Sequence, residues 1–197
     1  MENVPEELLP PYDGIKLSEV RLVRSAQDAA EALAALSATD AVGFDTESKP
    51  TFAKGEVSTG PHLVQLATDD AAYLIQVDRG DAQPAIEVVR AVLESAAILK
   101  VGFGLGDDLK RLRAKLGIEA VNVLDLSSAL RRGERNALGA RTAVARFFGQ
   151  RLQKSRRITT TNWAQPRLSD KQILYAADDA HVALRIYRHW RATQAAS

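Results

Sequence analysis

Asp45 and Glu47 stand two positions apart in the segment Ala41-Val42-Gly43-Phe44-Asp45-Thr46-Glu47. Val42 and Phe44 alternate there with Gly43, Asp45 and Glu47, which predicts a strand with its apolar anchors on one face and both carboxylates on the other. Residues two apart on a strand are roughly 7 Å apart along the backbone. Two hard carboxylates so placed can share Mg²⁺ or Mn²⁺, which prefer oxygen ligands. An isolated Asp-x-Glu is more often solvated surface, and the apolar residues preceding this one set it apart.

Two further acids join them from predicted helices. In GFGLGDDLKRLRAKLG, glycines lead from a strand end into a helix that opens on Asp107 and Asp108. At about 100° per residue Asp108 lies toward the Leu109, Leu112 and Leu116 face and Asp107 opposite, so Asp108 is read as inward and Asp107 as a helix cap. In the final helix Tyr175 and Asp179, four apart, share a face that Val182 and Ile186 continue. Asp178 falls with Lys171, His181, Arg185 and Arg188 on the charged side and is read as solvated. Read alone, Tyr175 is an ordinary core tyrosine. Four inward carboxylates are costly to bury without cations, however. Two divalent ions would resolve that cost, activating water and stabilising the attacking and leaving oxygens at phosphorus.

The elements that must carry these groups can be read from pattern. Residues 1 to 18 form an irregular arm, interrupted by Pro5, Pro10, Pro11 and Gly14. A short strand at Val20 to Val23 precedes a helix capped by Ser25. After the Asp45 strand and a polar loop, HLVQLAT and AAYLIQV flank Asp69-Asp70 as a hairpin. A helix from about Ala82 to Ala97, a strand in ILKVGF, the Asp108 helix and a strand in VNVLDL follow. Val144, Phe147, Phe148 and Leu152 share a helical face, and SDKQ at Ser169 offers a capping box to the last helix, which runs to about residue 193. Adjacent strands followed by alternating helices and strands predict an α/β layer architecture with a mixed sheet, in a single domain spanning residues 19 to 197.

Composition narrows the chemistry. The chain has 197 residues, 46% hydrophobic and 26% charged, with a formal charge of +1. Without cysteine, thiolate metal sites and cysteine nucleophiles are excluded, so a metal must sit on oxygen or imidazole. The acidic, proline-rich start does not read as a secretory signal, and no apolar run approaches a membrane span, so a soluble cytoplasmic protein is expected. Charge is uneven: from Arg131 to Arg157 nine basic residues face Glu134 alone, a net of +8 that can offset phosphate charge beside an acidic cleft. Arg131, Arg132 and Arg135 in a loop, and Arg156 and Arg157 before TTTNW, are the candidates for nucleic-acid contact. Trp163 is read as core.

Taken together, Phe44-Asp45-Thr46-Glu47, the turn from Gly102 to Asp108 and the Tyr175-x3-Asp179 helix resemble the three ordered motifs of the DEDD exonuclease superfamily. The tyrosine resembles the DEDDy branch, and within it the chain is similar to Werner-type exonuclease domains and, more distantly, to ribonuclease D. The similarity runs from about residue 20 to 192 and includes the LVQLA strand and Asn162-Trp163. Position 110 is Lys where the Werner-type domains have an aromatic. The resemblance implies a ribonuclease H-like three-layer fold with a central mixed β-sheet flanked by helices. It implies 3′-5′ exonuclease activity with two Mg²⁺ or Mn²⁺ ions on Asp45, Glu47, Asp108 and Asp179, and Tyr175 orienting or deprotonating the attacking water. It further implies that Glu47 and the backbone near Thr46 receive the 3′ hydroxyl. The partner is then a nucleic acid 3′ end, with DNA favoured over ribonuclease D-like trimming of RNA.

Two other classes compete. Gly102, Gly104 and Gly106 hint at a dinucleotide site, but Asp107 occupies the third-glycine position of that fingerprint and acids there would repel pyrophosphate. A catalytically inactive nucleic-acid-binding module would need the basic stretch and not the acids.

Overall fold

A computed structural model describes residues 5–52, 55–131, 137–153 and 155–195, with the Arg156 side chain excluded. Among the described residues the strands are β1 (Val20–Leu22), β2 (Ala41–Glu47), β3 (Leu63–Ala67), β4 (Ala72–Gln76), β5 (Leu99–Gly102) and β6 (Val123–Asp125). They form one sheet in the order β1-β4-β3-β2-β5-β6. The β2-β3-β4 meander is antiparallel, whereas β1 joins β4, and β5 and β6 follow β2, in parallel. The predicted mixed sheet is therefore present, with the Asp45 strand inside it.

Helices cover both faces. On one lie α1 (Ala26–Ser37), α2 (Gln83–Leu93) and α3 (Gly106–Leu116), packed on Val42, Phe44, Val64 and Leu66. On the other lies α7 (Asp170–Ala195), whose Ala176, Ala177 and Ala180 meet Leu63, Ala67 and Leu74. Beside it, α4 (Leu126–Ala129) and α5 (Ala140–Phe148) pack against Val182, Ala183 and Ile186, and the short α6 (Arg156–Thr159) precedes the turn into α7. No helix of the described residues is long and apolar enough to cross a membrane.

Local chemistry explains the boundaries. Ser25 Oγ accepts the Asp28 N–H at 3.1 Å while Asp28 Oδ2 accepts the Ser25 N–H at 2.9 Å, a reciprocal cap that starts α1. The expected box at α7 also forms, with Ser169 Oγ taking the Gln172 N–H at 3.3 Å and Gln172 Oε1 the Ser169 N–H at 3.0 Å.

Two helix boundaries differ from expectation. α2 stops at Leu93 rather than Ala97, because the carbonyls of Ser95 and Ile98 turn to accept the buried ammonium of Lys100, at 2.6 and 2.8 Å. α5 ends at Phe148 with Gly149 in the left-handed region, so Leu152 joins the α5 cluster from the following segment and not from the helix. Residues 5–15, expected as an irregular arm, are docked on the body of the fold. Pro11 pairs with Arg151, Arg185 donates to the Tyr12 hydroxyl at 3.0 Å and the Asp13 carbonyl at 2.8 Å, and the chain thereby lies across the polar face of α7.

Candidate active site

Asp45 and Glu47 leave one face of β2, both half-buried, and that face is the one α7 covers. The approach is permitted by Gly43 on the same face, since a Cβ there would fall inside the Ala180 carbonyl. Asp45 is two residues along β2 from this contact and Asp179 one residue along α7, so backbone proximity brings the two acids into one neighbourhood. Asp179 is 7% exposed, on the buried stretch of the helix, as its wheel position requires.

Asp108 arrives from the opposite layer. At the start of α3 its Oδ1 accepts the hydroxyl of Thr46, the buried residue between Asp45 and Glu47. Burial pushes the Asp108 carboxyl above its usual range, against the lowering effect of the Thr46 hydroxyl and Arg111. The wheel separates the aspartates as expected, for Asp107 is exposed and pairs with Lys110 at 3.3 Å. It does not cap α3, however. The turn before the helix is held by Asp125, whose two oxygens accept the N–H groups of Gly104 at 3.0 Å and Leu105 at 3.1 Å, with Gly104 at φ +68° as the turn requires.

Tyr175 lies one turn before Asp179 on α7. Its hydroxyl is 3.0 Å from that of Thr159, and its ring is tilted against Trp163 with centroids 6.0 Å apart. Trp163 is fully buried, as read from sequence, and donates its indole N–H to the Thr159 carbonyl at 3.2 Å. Thr159, which no sequence pattern singled out, thus holds both aromatics. Asp178 is a correction. It is half-buried rather than solvated and accepts the Ile15 N–H at 3.0 Å, because the N-terminal arm covers that side of α7. His181 is also buried, and its Nε2 lies 3.1 Å from the carbonyl of Asp69 in the β3–β4 turn.

The loop after Glu47 is tethered. His62, buried, follows it, and its Nδ1 accepts the Lys49 N–H at 3.1 Å, which requires an unprotonated Nδ1. Burial, and then Lys115, push the His62 pKa below its ordinary value, consistent with that role. Lys115 of α3 donates to the carbonyls of Thr59 at 2.9 Å and Pro61 at 2.8 Å, fastening the loop to the helix that carries Asp108.

The basic stretch divides. Arg141 pairs with Glu6 at 2.7 Å, Arg146 donates to the Leu130 carbonyl at 3.3 Å and Arg151 to the Glu7 carbonyl at 3.1 Å, so these three hold the fold together. Arg131 and Arg157 are exposed, Arg157 on the short helix whose Thr159 touches Tyr175. Arg132 and Arg135 lie outside the described residues, as does the Arg156 side chain.

As a donor set, Asp45, Glu47, Asp108 and Asp179 offer only hard oxygens, with Asp108 and Asp179 withdrawn from water, which suits Mg²⁺ or Mn²⁺. Opposite Asp45 on β3, Gln65 is fully buried with neither amide atom hydrogen-bonded. Among the described residues, however, no three of these groups stand close enough to hold an ion as the side chains lie. Asp45 Oδ1 accepts the Thr46 N–H at 2.8 Å, and Asp108 accepts the Thr46 hydroxyl.

A family model described as 3′-5′ exonuclease matches residues 20–192. The mouse bifunctional 3′-5′ exonuclease/ATP-dependent helicase WRN is 28% identical over 157 residues, 78% of this chain and 11% of that protein. An exonuclease mut-7 homolog of Aedes aegypti is 31% identical over 193 residues, 86% of this chain and 26% of that protein. The chain thus spans about a quarter or less of these two relatives. The crystal structure of the Aedes aegypti Nibbler EXO domain superposes with a TM-score of 0.75 at 27% identity, covering 90% of each chain. Escherichia coli RNase D shares the fold, with a TM-score of 0.72 at 24% identity over 89% of this chain and 45% of that one.

Proposed function

The chain belongs to the 3′-5′ exonuclease family, and on that premise we propose that it hydrolyses the terminal phosphodiester of a nucleic acid strand with two divalent metal ions, releasing nucleoside 5′-monophosphates. The observation that carries the reading is the Thr46 hydroxyl donated to Asp108, which ties the β2 carboxylates Asp45 and Glu47 to the acid of α3 beneath the helix bearing Asp179 and Tyr175.

In this reading Asp45, Glu47, Asp108 and Asp179 hold Mg²⁺ or Mn²⁺. When bound, such ions neutralise charge at the scissile phosphate and acidify water. The protein's own contribution is placement. Tyr175, braced by Thr159 and Trp163, offers a hydroxyl that orients the attacking water or takes its proton. Glu47 and the backbone at Thr46 receive the 3′ hydroxyl, supported by the tether that Lys115 and His62 place on the following loop. Exposed Arg131 and Arg157, with Arg132, Arg135 and Arg156, attract the strand's phosphates. DNA stands first as substrate because the motifs resemble the Werner-type branch.

The test is a degradation assay on end-labelled single-stranded and duplex DNA and RNA, in Mg²⁺, Mn²⁺ or EDTA, resolved to single nucleotides. Stepwise shortening from the 3′ end that EDTA abolishes is expected, with DNA cut faster than RNA. Asp45→Ala and Asp179→Ala should each abolish it while the circular dichroism of the fold persists. Near-normal activity in either variant, or activity in EDTA, would refute the metal assignment. Tight binding without degradation would favour the inactive-module reading.

A further inference from the structure

Gln65 sits in the middle of β3 with no exposed surface, and neither its Oε1 nor its Nε2 has a hydrogen-bond partner. Buried amides in folded proteins are almost always paired, because an unpaired one forfeits its hydration for nothing in return. An apolar side chain of the same length would avoid that loss at this position. The side chain lies on the face that α7 covers, between Leu63 and Ala67 and across from Leu74 of β4, all members of an apolar cluster. The side chains of Leu63, Ala67 and Leu74 can neither accept nor donate.

On its other side, the register places Gln65 directly across from Asp45. Residues opposite one another on one face of an antiparallel pair have Cβ atoms about 4.5–5.5 Å apart, within reach of a glutamine amide. Asp45 at present directs Oδ1 to the Thr46 N–H on its own strand. The polar group facing Gln65 across the ladder is therefore a carboxylate whose Oδ1 is engaged on its own strand, and the amide has no partner beside it.

We propose that Gln65 is a positioning residue for Asp45: when a divalent ion draws the Asp45 carboxylate out of its present hydrogen bonding, Gln65 Nε2 donates to that carboxylate and sets its orientation. The inference rests on the metal reading given above. It accounts for a buried amide left without a partner beside Asp45, since the partner is supplied by loading the site and not by folding. Outer-shell hydrogen bonds of this kind govern metal affinity by about 10–100-fold.

The experiment uses the full chain and its Gln65→Met variant, which keeps the length and unbranched shape of the side chain while removing the amide. Mn²⁺ binding is titrated by electron paramagnetic resonance, and thermal unfolding is recorded in EDTA. The expected result is a variant whose unfolding midpoint in EDTA equals or exceeds that of the wild type, yet which binds Mn²⁺ about 10–100-fold more weakly. Equal Mn²⁺ affinity in the two proteins overturns the proposal. So does a lower midpoint for the variant in EDTA, because the amide would then be paired before any metal arrives. Absence of Mn²⁺ binding by the wild type overturns the metal reading itself, an outcome distinct from both.

Discussion

Tyr175 separates packing from chemistry within one side chain. Its ring is held by Trp163, and its hydroxyl lies 3.0 Å from that of Thr159. Replacing it with Phe keeps the ring and removes only the hydroxyl, so the thermal midpoint should move little. Turnover on a labelled strand should fall by roughly 10²- to 10⁴-fold if that hydroxyl handles a proton at the attacking water. An unchanged rate would return Tyr175 to a packing role. The sequence placed Tyr175 and Asp179 on one face because helical spacing is local. It was silent on Thr159, which reaches Tyr175 from another helix, and on Gln65, whose only signal was a polar residue within LVQLA flanked by apolar neighbours.

Elements meet here through the absence of a side chain. Gly43 lets the backbone of α7 close on β2 at Ala180, one residue from Asp179 and two from Asp45. In Gly43→Ala the obstructing group is a backbone carbonyl, which cannot rotate aside as a flexible side chain would. Helix and strand must separate, at a cost of ~1–3 kcal/mol or more. Differential scanning calorimetry should show a lowered midpoint, and degradation should fall further than the remaining folded fraction explains. A variant with wild-type midpoint and activity would show that this contact does not set the distance between the two elements. The strand itself was legible from its alternation, whereas the need for glycine at position 43 was not. It arises from Ala180, more than 130 positions later in the chain.

For the molecule as a whole, Lys100 makes stability depend on pH. It is fully buried in β5, its ammonium held by the Ser95 and Ile98 carbonyls, and burial lowers its pKa to about 8. In the unfolded chain the same group titrates near ~10.4. Between those values the unfolded state binds a proton that the folded state has released, so stability rises with pH across the window. Below it both states are protonated and the folded state bears the full cost of the buried cation. Thermal midpoints of the wild type and Lys100→Met, measured from pH 7 to 10, isolate this group from the others. The difference should move in the wild type's favour above pH 8, by up to ~3 kcal/mol in total. A difference independent of pH would mean the ammonium keeps its proton when folded.

From the sequence by itself came the order of the strands and long helices, the mixed sheet, and the choice of Asp108 and Asp179 over their neighbours. These follow from alternation, helical period and capping, which act between residues a few positions apart. Tertiary structure alone decided that Asp178 is covered by the N-terminal arm and His181 buried beside Asp69, and that Arg141, Arg146 and Arg151 meet Glu6, the Leu130 carbonyl and the Glu7 carbonyl. It also decided that Gln65 faces Asp45, since strand register is set by which faces are buried against distant parts of the chain. Contacts of that kind depend on the summed packing of remote segments, and no short window of residues contains that sum.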